Sequence, residues 1–166
     1  RIVVKEGTGT WTLSGLNTYT LATTISAGTL KLGISSALTA SGPLGTGAGG
    51  TTVANGAALD MNGFSLTGTY LEALSLNGTG VGGLGALTNS SATASTYQGV
   101  ITFATAASIV GNGSTTGTIA ITGIPVSSAI TITLGGSAGG SVSTVIAGAR
   151  IVVKEGTGTW TLSGLN

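Results

Sequence analysis

Apolar residues in this chain alternate, and no run of them lasts more than a few positions. Leu, Ile, Met or Trp takes one parity and Thr, Ser, Ala or a charge takes the other in six stretches: Thr10-Trp11-Thr12-Leu13-Ser14, Thr29-Leu30-Lys31-Leu32, Ala58-Leu59-Asp60-Met61, Glu72-Ala73-Leu74-Ser75-Leu76, Thr118-Ile119-Ala120-Ile121 and Ile130-Thr131-Ile132-Thr133-Leu134. Period two with one apolar parity marks a short strand with one buried face. Helix is excluded by the same sequence, because Gly, Thr and Ser are too dense to leave an apolar stripe at helical spacing. The expected inward stack is therefore Trp11, Leu13, Leu30, Leu32, Leu59, Met61, Leu74, Leu76, Ile119, Ile121, Ile130, Ile132 and Leu134.

What separates the runs narrows the fold further. Asn55-Gly56, Asn62-Gly63, Asn77-Gly78 and Asn112-Gly113 punctuate them, and both residue types tolerate positive φ, so these pairs serve as hairpin turns or as coil corners. Gly-containing breaks recur about every dozen residues without the long polar loops of a Greek-key sandwich, which favours coils over that alternative. From Thr88 to Thr133 there is no Leu, and Ile101, Ile109, Ile119, Ile121, Ile124, Ile130 and Ile132 take over. The halves 1–89 and 90–149 are either two structural segments or, as the missing charged or Pro-rich linker favours, one solenoid with differently shaped rungs.

The chain also repeats itself. Arg1 to Asn17, RIVVKEGTGTWTLSGLN, returns letter for letter at Arg150 to Asn166, so the 166 residues read as one unit, 1–149, followed by the start, 150–166, of the next identical one. That is the pattern of a tandem array. Residues 1–149 carry Arg1, Lys5 and Lys31 against Glu6, Asp60 and Glu72, and the formal charge of +1 arises from the second occurrence. A neutral unit offers no electrostatic footprint for phosphate backbones or anionic lipid, so neither nucleic acid nor membrane insertion of this segment is expected.

Only 5% of residues are charged, against ~25% in an ordinary soluble domain, whereas Leu, Ile, Val and Phe make up about a quarter, enough for a packed core. Cys and His are absent, which removes disulfides, thiolate nucleophiles, imidazole bases and the usual zinc ligands together. No apolar run approaches the ~20 residues of a spanning helix, and no signal-peptide pattern opens the chain, so targeting information is expected outside this segment.

Lys5 to Gly33, KEGTGTWTLSGLNTYTLATTISAGTLKLG, resembles the autotransporter-associated β-strand repeat of bacterial passenger domains, approximately K-x-G-x-G-T-L-T-L-S-G-x-N-T-Y-T-G-x-T-T-I-x-x-G-T-L-x-L-G. Gly, Thr, Ser and apolar positions agree in register over 29 residues, and the match returns at Lys154 to Asn166. Departures are Glu6, Trp11 where the family prefers Leu, and Leu21 where it usually has Gly. Thr51 to Gly68 looks like the Asn-Gly-containing rung that tends to follow this repeat. The resemblance implies an all-β chain forming a right-handed parallel β-helix, or β-solenoid, displayed on or shed from bacterial surfaces. At about 20 to 25 residues per coil, such a unit would hold six or seven rungs and advance roughly 30 Å.

Candidate chemistry is sparse. Asp60 and Glu72 would approach each other only from adjacent rungs, as a polysaccharide-cleaving pair requires. The simpler expectation is that Asp60 is a solitary outward charge between Leu59 and Met61, and that Lys5 and Glu6 are solvated charges on opposite faces of a strand. GTGAGG at Gly45 to Gly50 and GGSAGG at Gly135 to Gly140 lack the following Lys-Ser/Thr and helix of a phosphate loop, so they read as flexible corners. The calcium-binding nonapeptide is missing as well. No catalytic, metal or cofactor residues are expected. Thr-x-Thr units at Thr8/Thr10, Thr10/Thr12, Thr18/Thr20, Thr67/Thr69, Thr116/Thr118 and Thr131/Thr133 would order ice only if they stood in register on one flat side, and their spacing is uneven. Asn77, Asn89 and Asn112 lie in Asn-x-Ser/Thr triplets that a bacterial protein would ordinarily leave bare.

The sequence therefore points to a non-catalytic repeat module of an extracellular or cell-surface bacterial fibre, stalk or adhesin. Its expected partners are neighbouring identical repeats, in one chain or as end-to-end subunits, with surface glycans or other cells as further ones. The alternatives are a carbohydrate-binding or carbohydrate-cleaving passenger and a Thr-array ice binder.

Overall fold

Strand, glycine corner, strand: the chain winds this way in a computed structural model that describes residues 1–36, 41–123, 125–127, 130–148 and 151–164, with backbone alone at 125–127. Ile124, the 149/150 junction and Asn166 lie outside these residues. The first coil holds β1 (Val3–Lys5) and β2 (Thr10–Leu13), and the second β3 (Thr23–Ile25) and β4 (Gly28–Leu32). A small antiparallel hairpin, β5 (Ser41–Gly42) with β6 (Gly45–Thr46), precedes the third, β7 (Thr51–Val53) and β8 (Ala57–Asp60). The fourth has β9 (Leu74–Gly78), β10 (Leu87–Asn89) and β11 (Ser95–Tyr97), and the fifth β12 (Ile101–Gly111) and β13 (Ile119–Ile121). β14 (Pro125–Ser127), β15 (Thr131–Gly135) and β16 (Gly139–Val142) form the sixth, before β17 (Ile151–Lys154) and β18 (Thr159–Leu162).

Apart from the β5–β6 hairpin, each strand pairs in parallel with a strand one coil away, so the coils stack as a β-solenoid of about six turns. On the first face β1, β3, β7, β9, the start of β12 and β14 form a ladder, with Val3 opposite Thr23, Thr23 opposite Thr51, and so on to Ile101 opposite Pro125. The second face runs β2, β4, β8, β10, the end of β12, β15 and β17. On the third, β11, β13, β16 and β18 stack, with Leu66 bridging to Tyr97 beneath them. The Asn-Gly pair at Asn55-Gly56 lies between β7 and β8, which belong to different ladders, so it is a coil corner, with Gly56 at φ 79°. Parallel ladders join the described strands of residues 90–142.

Registers that stack also stack the side chains. On the first face Ile25, Val53, Leu76 and Phe103 form one inward column, and on the second Leu30, Leu59, Leu87, Ile109 and Leu134 form another, each residue at most 2% exposed. Of the residues expected inside, Leu30, Leu32, Leu59, Met61, Leu74, Leu76, Ile119, Ile121, Ile132 and Leu134 are buried, and Leu13 and Ile130 pack half-buried against the core. Trp11 is a correction, at 48% exposed. Its register mate is the buried Leu30, so it has the inward parity, but β2 has a neighbour on one side only and one flank of the ring stays open.

Candidate functional site

Lys5 occupies an inward position in register with Ile25 and is fully buried, which corrects the expectation of a solvated charge. A buried ammonium must find acceptors, and the corner supplies them. Lys5 Nζ donates to the carbonyls of Glu6 (2.9 Å), Gly7 (2.7 Å) and Ala27 (2.9 Å) and lies 5.6 Å from the centre of the Trp11 ring, a cation–π distance. Two of the three carbonyls belong to its own coil and the third to the next. Gly28 permits the closure: it has φ 65°, and a Cβ there would run into the carbonyls of Gly7 and Gly9 and into Lys5 Nζ. Its counterpart Lys154 donates to the carbonyl of Gly156 and is exposed, so the two lysines share the local contact and differ in what lies over them.

The carboxylates do not form a pair. Asp60, expected to point outward alone, is 3% exposed. Its Oδ1 accepts from the backbone N–H of Asn62 (2.9 Å) and Ser90 (3.0 Å), Oδ2 accepts from Ser90 Oγ (2.6 Å), and Lys31 Nζ lies 3.2 Å from Oδ2. It lines a cleft of about 180 Å3 walled by Val81 and Leu84, but its oxygens are engaged by the chain in tying the second coil to the third and fourth. Position 60 carries period-two patterning on both sides, and nothing in that pattern announces partners 30 residues away.

Glu72 belongs to a separate interior cluster. Its Oε1 accepts from Thr51 Oγ1 at 2.7 Å, and Tyr97 donates to its backbone carbonyl at 2.7 Å. The Tyr70 hydroxyl lies against the same carboxyl, while Tyr19 shares a 2.8 Å hydrogen bond with Thr23. Neither Glu72 Oε2 nor the Tyr70 hydroxyl makes a well-formed hydrogen bond. Burial pushes the Glu72 carboxyl up to about 7, with the hydrogen bond from Thr51 and the nearby Tyr70 hydroxyl opposing the shift. Burial, with the Glu72 charge second, also raises the Tyr70 and Tyr97 phenols well above their ordinary value. Among the described residues, no three His, Cys, Asp or Glu side chains converge as metal ligands, and no helix is long and apolar enough to cross a membrane.

The polar feature that faces outward is a hydroxyl ladder on the first face. Thr24, Thr52, Ser75 and Thr102 are register mates on the outward parity of successive coils, spaced by the ~4.8 Å of a parallel sheet. Thr52, Ser75 and Thr102 line a shallow groove of about 150 Å3 with Gly50 and Ala73. The Thr-x-Thr units do not make such an array, since Thr10 stands against Thr29 but Thr12 against Lys31. The ladder was hidden in the sequence because its members are single hydroxyls separated by whole coils of unequal length. Asn89 is fully buried, with its side chain donating to the carbonyls of Thr93 and Thr118, which takes its Asn-x-Ser triplet out of reach.

Neither curated proteins nor solved structures provide a match to this chain. The family model of the passenger-associated-transport-repeat matches residues 3–32 and again residues 152–166. The first match spans β1 to β4, including the Lys5 corner and the Gly28 that closes over it, and the second spans β17 and β18. Over its first two coils, and again over residues 152–166, this parallel β-solenoid is therefore similar to the passenger-associated-transport-repeat.

Proposed function

We propose that the chain is a non-catalytic scaffold segment of an extracellular bacterial fibre, stalk or adhesin, extended by stacking one repeat on the next. The observation that carries this reading is the match of the same fifteen residues, 3–17 and 152–166, to a passenger repeat at two positions in one parallel β-solenoid. Such a ladder takes its stability from backbone pairing between coils and from inward aliphatic columns, and it needs few surface charges. The carboxylates support the non-catalytic part: Asp60 is engaged in the ladder and Glu72 is buried among tyrosines. Neighbouring repeats are the first partners, with surface glycans or other cells beyond them.

Intact mass of the natural product under denaturing conditions tests the reading. A polypeptide containing several 149-residue units is expected, and a product of one unit would overturn the single-chain array. A second reading, carbohydrate binding, is favoured by the in-register hydroxyls of Thr24, Thr52, Ser75 and Thr102 beside their groove. A glycan array tests it, with loss of signal in T52V/T102V expected if the ladder is the contact. Release of reducing sugar by the purified chain would move the protein to the enzymes and overturn the scaffold reading.

A further inference from the structure

The seventeen residues that occur twice do not occupy the same place twice. In the first occurrence Val3–Lys5 lies on the first face, against Thr23–Ile25, and Thr10–Leu13 on the second, against Thr29–Leu32. In the second, Ile151–Lys154 lies on the second face, with Leu134 opposite Lys154, and Thr159–Leu162 on the third, with Gly140 opposite Trp160 and Val142 opposite Leu162. The chain thus completes whole coils plus one face between the two occurrences.

Local conformation is carried round unchanged. Gly7 and Gly156 hold φ 70° and 69°, and Lys5 and Lys154 each donate to the carbonyl two residues on. What differs is the neighbouring coil. Trp11 stands against Leu30 and keeps an open flank, whereas Trp160 stands against Gly140, where the missing side chain leaves room for the ring. There Trp160 packs against the core and donates Nε1–H to the Gly135 carbonyl at 3.0 Å. The segment therefore fits either pair of faces, because each presents an inward aliphatic column at the same rung spacing.

We infer that successive 149-residue units are turned by one face, a third of a turn, relative to one another, so that a surface returns to the same side of the solenoid only after three units. This rests on the array reading above. The first occurrence shows how the junction is completed: the turn Ser26–Gly28 of the following coil closes over Lys5, whose ammonium donates a hydrogen bond to the Ala27 carbonyl, and the equivalent turn of the next unit closes over Lys154 on the second face. A feature confined to one face of a unit, such as the hydroxyl ladder, is then presented in all three directions around the axis, and a large partner surface meets it from any side.

The chain has no cysteine, so paired cysteines read the placement without background. With dibromobimane, which bridges thiols a few ångströms apart, S141C/T161C and T133C/V153C are expected to cross-link, because these pairs are register mates. T133C/T161C is expected not to, because it would require the second occurrence to lie on the faces used by the first. Cross-linking of T133C/T161C, or of none of the three, overturns the placement. In a chain lengthened to three units and labelled with maleimide-gold at T115C, electron microscopy is expected to show labels stepped by a third of a turn, and labels in line overturn the rotation. A natural product containing one unit would remove the array reading while leaving the cross-links of the present chain intact, so the two failures are distinguishable.

Discussion

At the scale of the residue, identical sequence in two settings gives a controlled comparison. Lys5 is buried under the second coil with three carbonyl acceptors, whereas Lys154 is exposed. Lys5→Ala leaves those carbonyls without their donor and is expected to cost about 2 to 4 kcal/mol. Lys154→Ala is expected to stay within about 0.5 kcal/mol. Chemical denaturation of the two variants checks this, and equal costs would mean that the burial of Lys5 contributes nothing. Gly28→Ala attacks the same closure from the other side, since it forces a side chain onto positive φ and into the carbonyls of Gly7 and Gly9. It is expected to cost at least as much as Lys5→Ala. In the columns, Leu59→Ala removes a fully buried side chain stacked between Leu30 and Leu87, for about 2 to 5 kcal/mol by denaturant titration. Leu59 was legible from alternation alone. Lys5 was not, because a lysine next to a glutamate in a Gly-rich stretch reads as solvated, and only the carbonyl nest made by the next coil reverses that.

At the scale of the element, the fourth coil holds a carboxylic acid in a low-dielectric setting. The buried Glu72 carboxyl is raised from 4.5 to about 7, so the folded chain holds this proton more tightly than the unfolded one. The contribution is fully present below about pH 4.5 and is lost as pH rises through 7, a change on the order of 3 kcal/mol. The groups facing it are Tyr19, Tyr70, Tyr97 and Thr51, and none of these titrates in that window. Melting temperature is expected to fall between pH 5 and pH 7.5, and Glu72→Gln, which keeps the shape without the charge, is expected to flatten that slope. A wild-type profile already flat over the window would show that Glu72 is not held protonated. The strands on either side, around Leu59 and Leu74, follow from period two. The glutamate among tyrosines does not, because Tyr19, Thr51 and Tyr97 come from different coils and meet Glu72 only after winding.

For the whole molecule, each coil contacts the coils above and below it, so cooperativity is close to one-dimensional and the ends are weakest. Hydrogen exchange is expected to be slowest in β8, β9 and β12, which have partners on both sides, and fastest in β1, β2, β17 and β18, which have one. Uniform protection from end to end would argue for an all-or-none unit. Fold class and the coil-by-coil advance were legible because alternation and Gly breaks repeat along the chain. The face on which each strand falls was not, because coil lengths vary, from Val3 opposite Thr23 to Thr23 opposite Thr51, and only their running total decides where the second seventeen residues arrive.

Strand β12 gives the molecule a mechanical property that its corners would otherwise deny it. Elsewhere a turn separates the first face from the second, but β12 runs unbroken from Ile101 to Gly111, shifts register between Phe103 and Ala107, and serves both ladders. A tensile load drawn along the chain can unzip a coil one face at a time wherever a flexible corner intervenes. At β12 the two faces are one strut. Force reaching it must shear Ile101–Phe103 from β9 and Leu87–Asn89 from the far end of the same strand together, so the fifth coil is where a stretched chain should hold longest before it yields in a single step.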